Sequence, residues 1–99
     1  MSAALSKAIL KQCEVVSQTL KSLSHPTRLK ILCCLLDGEK SVMDLTDFCE
    51  ITQSAMSQFL LRMKREGLLR SRRERQFVYY RIAESKLVNL LKAMKEIYC

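Results

Sequence analysis

Ninety-nine residues make one small domain, residues 1–99, with no room for a second. With 48% hydrophobic residues, two glycines and one proline, the chain is expected to fold compactly rather than as a loop-rich or disordered segment. The net charge of +7 favours an anionic partner. No apolar run resembles a signal peptide or a membrane span, so the five cysteines are expected to be reduced, in a cytoplasmic protein.

The first segment places Leu5, Ile9, Cys13, Val16, Leu20 and Leu23 at steps of three and four, the stripe of a helix with nearly heptad spacing. A second helix opens at Pro26, which suits a first turn, continues through Leu29, Leu32, Cys33 and Leu36, and stops at Asp37-Gly38. Ser41 then has the chemistry of an N-cap, with Asp44 three residues on as a short-armed capping box. Val42, Leu45 and either Phe48 or Cys49 form the buried side of this short third helix. Thr52 is a further N-cap, and Ile51 and Met56 hold the two positions of a hydrophobic staple. The fourth helix runs from Gln53 to about Glu66 and ends at Gly67.

Beyond Gly67 the period changes from helical to alternating. Val78, Tyr80 and Ile82 alternate with Phe77, Tyr79 and Arg81, which predicts a strand, with Leu68 to Arg73 as its antiparallel partner and a turn near Glu74-Arg75. Helical spacing returns through Leu87, Leu90, Leu91, Met94, Ile97 and Tyr98 in a last helix over 84–99. The expected fold is mainly α with a small β-hairpin, in the order α-α-α-α-β-β-α. A short helix joined tightly to the next is a helix-turn-helix, and the hairpin after it is a wing.

The charge is not spread evenly. Between Arg62 and Arg81 stand eight cations against two carboxylates, Glu66 and Glu74, so this fifth of the chain carries +6 of the +7. Such concentration is the footprint expected for a phosphate backbone. At about 100° per residue, Gln53, Ser54, Ser57, Gln58, Leu61, Lys64 and Arg65 share one arc of the fourth helix, opposite Ala55, Met56, Phe59, Leu60 and Met63. Glutamine and serine can hydrogen-bond base edges from the N-terminal part of a recognition helix. The expected DNA-binding residues are therefore Gln53, Ser54, Ser57, Gln58, Lys64 and Arg65 on the helix and Arg72, Arg73, Arg75 and Gln76 on the wing. Leu61 sits in the polar arc and suits either a thymine methyl or packing against the hairpin. Apolar stripes at both ends, Leu5, Ile9, Val16 and Leu20 with Leu87, Leu91 and Met94, predict a symmetric homodimer through the first and last helices. Such a dimer would read an inverted repeat in double-stranded DNA. No glycine-rich phosphate loop, metal constellation or nucleophile set points to an enzyme.

Ser24-His25-Pro26-Thr27-Arg28-Leu29-Lys30-Ile31-Leu32, Ser41-Val42-Met43-Asp44-Leu45, Thr52-Gln53-Ser54-Ala55-Met56-Ser57-Gln58-Phe59-Leu60 and Glu66-Gly67-Leu68-Leu69 follow one another as in the ArsR family of bacterial regulators, which the chain resembles over nearly its whole length. The resemblance implies a winged-helix homodimer acting as a repressor released by an inducer. Two positions depart from the family pattern: Phe59 stands where histidine is frequent, and His25 where aspartate is common before the proline. Many members sense metals through a Cys-Val-Cys-Asp-Leu sequence that here reads Ser41-Val42-Met43-Asp44-Leu45, or through Asp and His of the last helix, which 84–99 lacks. His25, the sole histidine, is read as a helix-start residue, and no metal or other cofactor is expected. The persulfide- and oxidant-sensing branch of the family carries one cysteine in the second helix and one near the end of the last. By that resemblance Cys33 and Cys99 are the redox-sensing positions. Cys34 is core or a third participant, and Cys13 and Cys49 are read as packing residues. The alternatives are a thiophilic metal held by Cys33, Cys34 and Cys99, and a redox-insensitive anti-repressor.

Overall fold

The structure is a computed structural model that describes the backbone of residues 3–99 and the side chains of residues 6–99. The side chain of Leu5, expected at the head of the first stripe, lies outside the described residues. Five helices, α1 (Ala3–Leu23), α2 (Pro26–Cys34), α3 (Val42–Cys49), α4 (Gln53–Arg65) and α5 (Ser85–Tyr98), combine with three strands, β1 (Lys40–Ser41), β2 (Leu69–Glu74) and β3 (Phe77–Ile82). The strands form one antiparallel sheet in the order β1-β3-β2. The expected order of elements holds, with the two-residue β1 added. So short a strand has no alternating pattern of its own. It exists because Lys40 and Ser41 pair with Tyr80 and Tyr79.

Local chemistry fixes the helix ends. His25 caps α2 by accepting the Thr27 N–H on Nδ1 at 3.2 Å, and Pro26 fills the first turn. The Ser41 hydroxyl accepts from the Asp44 N–H and the Thr52 hydroxyl from the Ala55 N–H, each at 3.1 Å. α4 ends in a Schellman arrangement: Gly67, at φ 83°, donates to Lys64 O while Leu68 donates to Met63 O. α2 stops at Cys34, earlier than the spacing implied. The N–H of Leu35 is shared between Ile31 O and Leu32 O, which tightens the last turn before Gly38.

Ile31, Leu32, Leu45, Met56, Leu60, Met63 and Leu91 are almost wholly enclosed and form the centre of the core, with Leu35, Cys49, Leu69, Tyr80, Ile82 and Leu87 around them. Cys49 rather than Phe48 completes the buried side of α3; Phe48 is exposed. Ile51, the N-terminal half of the expected staple, packs against this cluster. Four expectations are corrected. Leu87 and Leu91 are buried inside the protomer, so neither is spare for a dimer, and Met94 is half-buried against the same cluster. Ile97 and Tyr98 are the exposed apolar residues of α5, Tyr98 at 83%. Cys33 is not part of the α2 stripe; Ile31 and Leu32 are buried and Cys33 is exposed. Cys13 is also exposed, its thiol donating to Ile9 O at 3.2 Å. Among the described residues of the α1 stripe only Leu23 is buried, while Ile9, Val16 and Leu20 face solvent.

Candidate functional site

The hairpin returns through Arg75-Gln76, one residue later than expected, with Glu74 opposite Phe77. The register sorts the wing arginines onto two faces, because side chains alternate along a strand. Leu69, Ser71 and Arg73 share a face with Ile82, Tyr80 and Val78; Arg70, Arg72 and Glu74 share the other with Arg81, Tyr79 and Phe77. The first face turns toward α4, since Lys64 Nζ donates to the Ser71 hydroxyl at 2.7 Å. On the second face Arg72 is already engaged. Its guanidinium is held by Glu39 and by Glu74 (3.0 Å) and lies 4.6 Å from the centre of the Tyr79 ring. Arg72 holds the Glu39 carboxyl below the usual carboxylate range, and its own pKa is raised in return by Glu39 and Glu74.

α4 presents Gln53, Ser54, Ser57, Gln58, Lys64 and Arg65 to solvent, and Arg73, Arg75 and Gln76 are exposed on the hairpin beyond it. All ten positions expected to meet DNA are solvent-facing, and Arg72 alone among them is tied into a network of ion pairs. Leu61 is 46% exposed and outside the core cluster. A second bidentate pair orients α4 from behind. Arg28 of α2 grips Glu66 at the C-cap of α4 while its Nε donates to Ser22 O at 2.9 Å. Arg28 thereby holds the Glu66 carboxyl below its ordinary value.

At the other end of α2, an apolar cavity of about 820 Å³ opens between α2 and α5. Leu29, Phe48, Leu91 and Met94 contribute to its wall, together with the thiols of Cys33, Cys34 and Cys99. Partial burial pushes the Cys33 thiol up, and the neighbouring Cys34 and Cys99 thiols add to that. Cys49 is pushed up to about 11 by burial and by the Cys34 thiol beside it. The four cysteines at this end therefore sort into an outer pair, Cys33 with Cys99, and an inner pair, Cys34 with Cys49. Sequence spacing does not reveal the inner pair, because it depends on how α2 and α3 cross. Among the described residues, no three His, Cys, Asp or Glu side chains converge as a metal-ligand set.

The two departures from the family pattern are in contact. The His25 and Phe59 rings lie 5.3 Å apart, tilted by 53°. His25 performs the capping that aspartate would, and its ring also covers part of Phe59.

Residues 25–71 match the family model described as bacterial regulatory protein, arsR family. The transcriptional activator HlyU of Vibrio cholerae is 39% identical over 80 residues, which span 81% of this chain and 74% of that protein. The biofilm growth-associated repressor of Agrobacterium fabrum is 38% identical over 92 residues, spanning 93% and 79% respectively. Among solved structures, the transcriptional repressor BigR from Xylella fastidiosa has a TM-score of 0.89 at 34% identity, covering 100% of this chain and 98% of that one. Helix order, wing, basic face and relatives agree: the chain belongs to the ArsR family of winged helix-turn-helix, DNA-binding transcriptional regulators.

Proposed function

We propose that this regulator is a homodimeric repressor that holds an inverted-repeat operator while reduced and lets go when Cys33 and Cys99 become linked. The observation that carries this reading is that both thiols border one cavity, on α2 and at the end of α5. A reactive sulfur species or an oxidant modifies one thiol, and the other captures it. The link ties α5 to α2. α2 also grips the C-terminal end of α4 through Arg28 and Glu66, so strain in α2 has a direct route to the recognition helix.

Gln53, Ser54, Ser57 and Gln58 read base edges in the major groove, with Leu61 against a thymine methyl. Lys64, Arg65, Arg73, Arg75 and Gln76 contact phosphates and the neighbouring groove, with Arg72 behind them. Pairing through the exposed α1 stripe and the exposed end of α5 sets the spacing of two recognition helices, and loss of either half-site removes much of the affinity. The experiment is binding to the gene's own upstream DNA, by reduced and by polysulfide-treated protein, with mass spectrometry of the cysteines. The expected result is reversible weakening together with a peptide joined through Cys33 and Cys99. Weakening without that crosslink refutes the two-thiol switch.

A further inference from the structure

Residues 7–18 of α1 are all exposed, and the helix is seated on the protomer through its last five residues, where Thr19 and Ser22 are half-buried and Leu23 is buried. With 21 residues α1 is a lever of about 32 Å held at one end. Apolar contact at Leu23 alone leaves the angle of such a lever free, because hydrophobic attraction has no direction. Arg28 adds direction. Its Nε donates to Ser22 O at 2.9 Å, its Nη1 to Glu66 Oε2 at 3.2 Å and its Nη2 to Glu66 Oε1. Among the described residues this is the one side-chain hydrogen bond that ties α1 to another element. Ser22 O and Glu66 stand at the C-terminal ends of α1 and α4, where carbonyls lack helical partners and the helix dipole is negative. A carboxylate is unfavourable at such an end unless a cation joins it. The Arg28 side chain is only 11% exposed, so water competes little for its donors. A guanidinium is flat and its N–H groups point in fixed directions. Bonding Ser22 O and Glu66 at once therefore sets the end of α4 at one angle to the end of α1.

We propose that Arg28 is the joint between the pairing helix and the recognition helix, and that it makes the dimer selective for the distance between operator half-sites. The inference rests on the homodimer and inverted-repeat reading above and assigns the spacing to a positioning residue that touches no DNA. α5 needs no such joint, because Leu87 and Leu91 seat it in the core. α1 does need one: it carries Ile9, Val16 and Leu20 of the pairing stripe, all exposed, and Leu20 is two residues from Ser22. Two copies of the joint, one in each protomer, stand between the two α4 helices. One inserted base pair moves the half-sites apart by about 3.4 Å and turns them by about a tenth of a turn. A stiff joint loses one half-site under that change, and a loosened joint follows it. Lysine keeps the charge of Arg28 but is a point donor on a flexible stem, so it does not fix the angle.

The test selects binding sites from a random-sequence duplex library with the full, reduced chain, as wild type, Arg28→Lys and Glu66→Gln. Wild type should enrich an inverted repeat at a single spacing. Both variants should enrich the same half-site sequence at two or more spacings. On the selected operator with one base pair inserted, wild type should lose at least about tenfold in affinity and Arg28→Lys less than about threefold, with affinities for an isolated half-site within about twofold of each other. Glu66→Gln keeps the shape of the pair and supplies the same reading if Arg28→Lys folds poorly. Arg72→Ala is the control: it breaks an ion-pair network remote from α1 and should retain the single spacing. A single spacing retained by folded Arg28→Lys or Glu66→Gln overturns the joint and leaves the dimer reading standing. Broadened spacing in Arg72→Ala as well overturns it too, since general loosening then accounts for the effect. If wild type enriches isolated half-sites, the inverted-repeat reading fails, and the inference with it.

Discussion

The two ends of α2 lead into regions of opposite character. From Arg28 the contacts run to α4 and the wing, where the exposed side chains are polar and cationic and the ion pairs are already formed. From Cys33 they run into an apolar cavity where burial pushes a thiol up. In the proposed function the first region works as it stands, whereas the second is silent until a proton leaves and a bond forms. One nine-residue helix, α2, joins the two.

The largest effect that separates the two regions is expected from Cys99→Ser. It should abolish the response to polysulfide while leaving the affinity of reduced protein for DNA within about twofold, measured by fluorescence anisotropy. A variant that still responds would locate the switch at another thiol. Next is Gln58→Ala, which removes a side chain with base-reading chemistry. It should cost about 1–3 kcal/mol of discrimination at one base pair in each half-site, read from binding to a panel of single-base operator variants. An unchanged preference would remove Gln58 from the reading face.

Arg72 and Arg73 test the wing's two faces. Arg73→Ala should weaken binding to every sequence and lower the salt slope by about 1. Arg72→Ala should barely move that slope, because its charge is opposed by Glu39 and Glu74, and should instead loosen the β1-β3-β2 sheet. If the two variants behave alike, the division by face is wrong. The last contrast is in pH dependence. A raised thiol stays protonated further into the alkaline range, so the rate of Cys33 alkylation should climb about tenfold per pH unit from 7 to 9 without levelling. DNA affinity of the reduced protein over the same interval should stay nearly flat. A plateau near pH 8 would mean that Cys33 is more acidic than its surroundings make it.

The caps, the core face of α4 and the wing were legible in the sequence because each depends on neighbours within a few residues. Ser41, Thr52 and Gly67 act on their own turns, and Met56, Leu60 and Met63 repeat at helical spacing. Features that depend on distant partners were not. Nothing local to Lys40 announces β1, which Tyr79 and Tyr80 create. Nothing local to Arg72 announces Glu39. Leu87 and Leu91 have the spacing of a dimer stripe, and only the packing of α5 onto the core shows that they are already used. Phe59 and His25 each look like a departure when read alone, and become one arrangement when the rings meet.

The wing tip turns on Arg75 at φ 57°, a left-handed backbone position that glycine or asparagine takes with less difficulty. Holding a long side chain there costs on the order of 1 kcal/mol. Glycine would relieve that cost but widen the choices of the unfolded chain, so Arg75→Gly leaves the melting temperature nearly where it was. The same change deletes a cation from the outermost point of the hairpin. If Arg75 meets DNA as proposed, stability and grip are uncoupled at this one residue, and a search for sturdier variants by thermal screening alone would pass over a loss that a DNA titration reveals.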